Sequence, residues 1–227
     1  MATVDEVCKL AYEGNFPQFK VRIDADNSLG SRVDSSGRCA LHWAASGGHL
    51  DIIEYLLRLG VNVDTRDESN WTPLMIAASA GWLQIVKTLI GQGAQVNAVN
   101  SNGQCALHYA ASRDRLEIAE VILENGGDPH TSDNLGHTPM HRAACKGHLK
   151  MVKLLLQYNV DLNHRDATGS TPLHMAAEDD KAEIAHLLID HGARLDIKNK
   201  EGQTPADVAP RRLQSALRSR LEGVLDR

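Results

Sequence analysis

Thr171-Pro172-Leu173-His174-Met175-Ala176-Ala177 is the plainest copy of a stretch that this chain repeats every 33 residues. The pattern returns at Trp71-Thr72-Pro73-Leu74 and Thr138-Pro139-Met140-His141, and more weakly at Cys39-Ala40-Leu41-His42 and Cys105-Ala106-Leu107-His108. Thr at its head can cap a helix, and Pro fits the first helical position, where the missing N–H costs nothing. Leu faces a core, and the Ala pair lets the next repeat's helix approach closely. Two other columns keep the same spacing: Asp34, Asp67, Asn100, Asp133, Asp166 and Asn199, then Gly60, Gly93, Gly126, Asn159 and Gly192. The first suits a turn between repeats. The second supplies the left-handed residue that ends a helix, with Asn as the usual substitute. A period held from residue 34 to 204 without an insertion predicts an all-α solenoid.

Between these columns lies a second helix, periodic in apolar residues: Ile52, Ile53, Leu56 and Leu57; Ile85, Val86, Leu89 and Ile90; Met151, Val152, Leu155 and Leu156. Of the 227 residues, 42% are hydrophobic and 23% charged, and the net charge of −5 gives no general pull toward nucleic acid or an anionic membrane. Met1–Glu6 lacks a basic region followed by an apolar run, so no signal peptide is expected. No apolar stretch approaches the roughly 18 residues of a membrane span. The cysteines form no CxxC pair and sit at repeat positions, which predicts reduced thiols and a cytoplasmic and nuclear protein.

The period and the Thr-Pro-Leu-His stretch resemble ankyrin repeats. That resemblance implies seven helix-turn-helix units with short β-hairpin-like turns in one solenoid over 1–227. The full repeats would be 37–69, 70–102, 103–135, 136–168 and 169–201, with capping repeats at 1–36 and 202–227. Residues 4–36 look like a degenerate repeat, Ala11 and Gly14 aligning with Ala44 and Gly47. At the other end Leu213, Leu217, Leu221 and Val224 form a helical stripe opposite Arg218 and Arg220, as a capping helix with a solvated basic face would.

Motifs of chemistry are sparse. His42, His108, His141 and His174 share one repeat column, and His49 and His148 fall in a Gly-His turn. His137 and His141 have ligand spacing, but His137 belongs to a turn and no nearby Cys completes a set. A phosphate-binding loop and a GxSxG elbow are missing from the sequence, and Glu178-Asp179-Asp180 suits a solvated or partner-facing patch better than an acid–base pair. The expectation is a binding protein, with no enzyme activity, cofactor or metal.

Information then lies where the columns disagree. The residue before the Thr position runs Arg38, Trp71, Gln104, His137, Ser170, Gln203, and the residue after the His column runs Trp43, Ile76, Tyr109, Arg142, Met175. The first helix ends in Ser112-Arg113, Cys145-Lys146 and Glu178-Asp179, with Arg115 close by. In the ankyrin architecture these positions point to the concave face. Arg38, Trp43, Trp71, Tyr109, Arg113 and Arg115 make its first half aromatic and basic, with Arg142 and Lys146 further on and Glu178 and Asp179 acidic. Trp, Tyr and Arg dominate interface hot spots.

Several stretches resemble one ankyrin family, the gankyrins. They include Arg38-Cys39-Ala40-Leu41-His42-Trp43-Ala44, Gly93-Ala94-Gln95-Val96-Asn97-Ala98-Val99-Asn100 and Leu107-His108-Tyr109-Ala110-Ala111-Ser112. Met140-His141-Arg142-Ala143-Ala144 with Gly147-His148-Leu149-Lys150-Met151 belongs with them. The resemblance implies a monomeric, non-catalytic chaperone for assembly of the proteasome regulatory particle, gripping the carboxy-terminal domain of one AAA ATPase subunit. It makes Arg38 and Arg113 contacts for partner carboxylates, with Arg115 beside them, Glu68 a contact for partner arginines, and Trp43 and Trp71 apolar anchors. Ser36 and Trp82 depart from the family, replacing an acidic and a basic residue. The family's LxCxE motif for the retinoblastoma protein is altered here at Met175-Ala176-Ala177-Glu178-Asp179, so that partner is not carried over. Rival readings are a regulator of a cyclin-dependent kinase and a generic ankyrin scaffold. Asn97 and Asn163 also stand at the spacing of asparaginyl-hydroxylase substrates.

Overall fold

The computed structural model describes residues 3–225, with side chains as far as Arg220. Helices and turns make up the described residues, and no strand occurs among them. The chain divides into two compact units, Met1–Ala110 with Glu117–Gly127 and Ala111–Leu116 with Asp128–Arg227. The first holds α1 (Val4–Glu13), α2 (Phe16–Ala25), a 3-10 turn (Asn27–Gly30), α3 (Ala40–Gly47), α4 (Leu50–Arg58), α5 (Pro73–Ala80) and α6 (Leu83–Gly91). Residues of α7 (Ala106–Ser112) and α8 (Leu116–Glu124) fall in both units. The second holds α9 (Pro139–Lys146), α10 (Leu149–Leu156), α11 (Pro172–Glu178), α12 (Ala182–Asp190), α13 (Pro205–Val208) and α14 (Arg211–Leu225). No helix among the described residues is long and apolar enough to cross a membrane.

The Asp/Asn column builds the turns. Oδ1 of Asp34 accepts the amides of Ser36 (2.8 Å) and Arg38 (3.0 Å), and Oδ1 of Asp166 accepts those of Thr168 and Ser170 (2.8 Å each). Asp67, Asn100, Asp133 and Asn199 accept amides at the same two offsets. A backbone bond such as Asp166 N–H to Ser170 O (2.9 Å) closes each loop, giving the hairpin-like shape without a strand ladder. The residue before the last of the loop has positive φ, which suits Gly at 136 (φ +79°), where a Cβ would meet Asp166 Cα at 2.9 Å. Within the first unit the amide of Glu68 donates to Ser36 O and that of Ser101 to Ser69 O. Within the second, Ala167 donates to Leu135 O and Lys200 to Thr168 O (2.8 Å each), so consecutive turns are tied tip to tip.

Helix starts follow from the Thr-Pro-Leu-His stretch. Thr171 has extended backbone and its Oγ1 accepts the His174 amide at 3.4 Å, while Pro172 opens α11. The His174 ring closes the arrangement. Its Nδ1 accepts the Thr171 amide (3.1 Å), which places the ring proton on Nε2, and Nε2 donates to Gln203 O (3.1 Å) in the next repeat. His141 makes the same bridge from Thr138 N–H to Ser170 O, and His42 from Cys39 N–H to Trp71 O. These buried imidazoles are staples between repeats. Thr171→Ala is expected to lower unfolding free energy by about 1 kcal/mol, and Thr171→Ser to leave it nearly unchanged. Equal urea midpoints for wild type and Thr171→Ala would remove the cap from this account.

Helix ends come from the Gly column: Gly60, Gly93, Gly126 and Gly192 are left-handed, and so is Asn159 (φ 51°). The predicted apolar stripes are inward, with Ile52, Ile53, Leu56, Val86, Leu89, Met151, Val152 and Leu155 buried; Leu57, Ile90 and Leu156 are half-buried. At the amino end α1 and α2 bury Val7, Ala11, Phe19 and Ile23. At the other end Leu213 and Leu217 of α14 are buried, as a capping helix requires. Its basic face is partly spent inside the chain: Arg218 pairs with Asp207 (3.2 Å) and Arg220 with Asp190 (2.5 Å). Leu221 and Val224 lie outside the residues whose side chains are described.

Candidate functional site

The Asp/Asn column has a second use. Oδ1 folds the turn, and the other side-chain atom holds a residue from one of the two variable columns. In the first unit Asp34 Oδ2 accepts the indole N–H of Trp43 (2.8 Å), nine residues on. Asn100 Nδ2 donates across the same nine residues to the Tyr109 hydroxyl (2.7 Å), which donates to Gln104 Oε1 (2.6 Å). Asp67 Oδ2 accepts Arg38 Nε at 3.0 Å across 29 residues. In the second unit Asp133 pairs with Arg142, again nine residues on, and Asp166 Oδ2 lies 3.3 Å from His137 Nε2, again 29 apart.

Four of the proposed contact residues, Arg38, Trp43, Tyr109 and Arg142, are therefore fixed by the scaffold before any partner arrives. Arg38 keeps 28% side-chain exposure against 5% for Asp67, so its guanidinium rim faces outward from a buried anchor. It also stands 5.3 Å from the Trp43 ring centroid, within cation–π range. Trp71 is half-buried and lies against Tyr109, ring centroids 4.3 Å apart and planes tilted by 35°. Glu68 is exposed, with its backbone amide tied to Ser36 O. Held rotamers lose little entropy on binding, which favours these residues as contacts.

The electrostatics follow from these bonds. Burial alone would raise the Asp34 carboxyl, but hydrogen bonds from Ser36, the Arg38 amide and Trp43 outweigh it and hold Asp34 below the usual carboxylate range. Burial is likewise outweighed at Asp133 by Arg142 and the His137 amide, and at Asp166 by Thr168 and the Ser170 amide. These carboxylates stay charged in the folded state and orient their partners.

Other members of the second unit's set are looser. Arg113 and Lys146 are exposed, and among the described residues neither makes an ion pair, whereas Arg115 is half-buried. Glu178 and Asp179 are exposed beyond the half-buried Met175, and Asp179 Oδ2 accepts the Cys145 thiol at 3.0 Å. Burial and then Asp179 push that thiol up, so it stays a neutral donor. His137 and His141 have their rings 5.9 Å apart, yet each is turned to a different partner, Asp166 and the Thr138 cap.

Trp82 departs from the family pattern for a local reason. Its indole N–H donates to Ser46 O (3.2 Å), as the His49 ring does to Tyr12 O (2.8 Å) and the His148 ring to Ser112 O (3.2 Å). These three positions share a ring N–H donor, while Arg115 and Lys181 fill the same column elsewhere. What sequence reading missed is the holding role of Asp34, Asp67, Asn100 and Asp133. The signal was available in the fixed offsets of 9 and 29 residues between the turn column and the variable columns.

Comparison with known proteins agrees with this architecture. A family model described as ankyrin repeats (3 copies) matches residues 5–67, 41–133, 83–166, 125–199 and 159–216. A 67-residue segment is 51% identical to the 26S proteasome non-ATPase regulatory subunit 10 of Mus musculus, covering 30% of this chain and 29% of that protein. The Homo sapiens protein of the same name is also 51% identical over 67 residues, with 30% of each chain covered. The match thus spans about 30% of the length of these curated relatives, and it agrees with the gankyrin resemblance read from the motifs. Among solved structures, the ankyrin repeat domain of Bcl-3 superposes with a TM-score of 0.79 at 25% identity, over 93% of this chain and 97% of that one. The 33-residue period, the turn and cap geometry and the family match over most of the sequence converge: the chain belongs to the ankyrin-repeat family, a fold of protein-binding modules.

Proposed function

We propose that this chain is a non-catalytic chaperone for assembly of the proteasome regulatory particle, acting in cytoplasm and nucleus by binding the carboxy-terminal domain of one AAA ATPase subunit. The observation that carries the reading is the likeness to proteasomal regulatory subunit 10 relatives in a chain whose Arg38 is held outward by Asp67 and Trp43. In the first unit Arg38 would meet partner carboxylates, Glu68 partner arginines, and Trp43 and Trp71 apolar groups. In the second, the exposed Arg113 would add a further cation. Covering the ATPase tail would delay its docking onto the core particle until assembly is ready. An interface of roughly 1,600 Å² is ordinary for such a pair.

Titration calorimetry against the isolated carboxy-terminal domain of each proteasomal ATPase tests this. Tight one-to-one binding to a single domain is expected. Arg113→Glu breaks no internal ion pair among the described residues and should slow association about tenfold at low salt, with a weaker salt dependence. Adding Arg38→Glu should abolish detectable binding, with melting curves confirming that the double variant folds. Heat-silent titrations against every domain would overturn the reading, and a cyclin-dependent kinase would be titrated next.

A further inference from the structure

The first unit has a cavity of about 220 Å³ lined by Asp5, Cys8, Lys9 and Tyr12 of α1 with Asp34 and Trp43. Its walls are aromatic: Tyr12 is 51% exposed and stands edge-on to Trp43, ring centroids 5.9 Å apart. Its lining carries two carboxylates, Asp5 and Asp34, against the one ammonium of Lys9, and the Arg38 guanidinium, 5.3 Å from the Trp43 ring centroid, is not part of the lining. Asp34 lies at the turn, with Oδ2 on the Trp43 indole. Asp5, exposed in the first turn of α1, has no ion-pair partner among the described residues. Lys9 is drawn along the helix to Glu13 at 3.8 Å. The floor is the Cys8 thiol, 5% exposed, with Sγ 3.8 Å from Arg38 O.

We infer that this cavity receives one arginine side chain from a protein partner, its guanidinium meeting Asp5 and Asp34 and its stem lying on Tyr12 and Trp43. The Cys8 thiol at the floor feels the same two carboxylates. Burial raises it first, Asp34, Cys39 and Asp5 raise it further, and together they push it up to about 12. A group at this floor therefore feels negative potential. A partner carboxylate would be repelled by it, and an apolar anchor would strip water from Asp34 and Asp5 while giving nothing back. A planar guanidinium suits the aromatic walls better than an ammonium, because it stacks as well as pairs. The inference rests on the reading of the chain as a protein-binding module, and is independent of which protein is bound.

The test uses the full chain, ¹⁵N-labelled, titrated with N-acetyl-arginine-methylamide and with the norleucine and glutamate analogues. The Trp43 indole resonance, identified by comparison with Trp71→Phe and Trp82→Phe, is the readout. A saturable shift in the millimolar range is expected with the arginine probe, as one side chain in an open cavity should give, and none with the other two. The exposed substitutions Asp5→Asn and Tyr12→Ser should each weaken it at least threefold; Asp34 is left alone because it builds the turn. An unmoved Trp43 resonance in a well-dispersed spectrum would overturn the inference, as would an equal response to norleucine. Failure of the ATPase titrations with a positive arginine response sinks only the proteasomal reading. ATPase binding without an arginine response sinks only the cavity.

Discussion

Asp133→Ala should lower the unfolding free energy by about 4 kcal/mol, and Asp133→Asn by about half of that, as measured by urea unfolding at neutral pH. The carboxylate is buried and carries two separable loads. Oδ1 accepts the amides of Leu135 (3.0 Å) and His137 (2.9 Å), and Oδ2 pairs with Arg142. Alanine strands both amides and the guanidinium, and each unsatisfied buried group costs about 1–3 kcal/mol. The Arg142 side chain is 29% exposed, so part of its charge can be recovered by water, which keeps the loss below that of a fully buried pair. Asparagine retains the acceptor that folds the turn, as Asn100 and Asn199 do naturally in the same column. It gives up the ion pair and turns an amide N–H toward Arg142, which has no acceptor to offer. Equal losses for the two variants would mean that the ion pair, not the turn, dominates. Two small losses would show that the turn folds without its side-chain acceptor.

That split also explains what the sequence could and could not disclose. Columns filled by near-identical residues declare their role, because the same backbone problem recurs every 33 residues. Thr171, Pro172, Gly192 and Asp166 could be assigned to cap, first turn, helix end and loop from spacing alone. The variable columns were harder. Arg38, Trp43, Tyr109 and Arg142 vary in type as interface residues do, and chemistry by type says nothing about what already holds them. Their partners lie 9 residues away across a repeat boundary or 29 away within one repeat, so the link shows in the fixed offsets between columns and not in any local motif. Trp82 poses the same difficulty: its ring N–H donates to the preceding repeat, as the His49 ring does, a link that residue type alone does not disclose. Its role becomes visible only beside His49 and His148.

The His column predicts a second large effect, this time of pH. Burial holds the His141 ring far down, to about 4 from an ordinary 6.5, against the smaller opposing pull of Ser170 O, and burial also lowers His174. The unfolded chain takes up a proton on each of these rings below about pH 6.5, and the folded chain refuses it. Their contribution to stability is therefore complete above pH 6.5 and drains away as pH falls toward 4. His141 alone accounts for a loss on the order of 3 kcal/mol over that window. The lowered carboxylates Asp34, Asp133 and Asp166 add a loss of the same sign only at still lower pH, so the two sets separate. The mechanism is specific, because a proton on Nδ1 breaks the bond from the Thr138 amide while Nε2 stays on Ser170 O. Urea unfolding from pH 7.5 to 4.5 should show the decline, and His141→Asn, weaker at neutral pH but unable to titrate, should flatten it. The His141 ring carbon resonances should stay constant down to about pH 5. A ring that titrates near 6.5 in the folded protein, or an undiminished slope in His141→Asn, would show that this imidazole is not the staple between repeats.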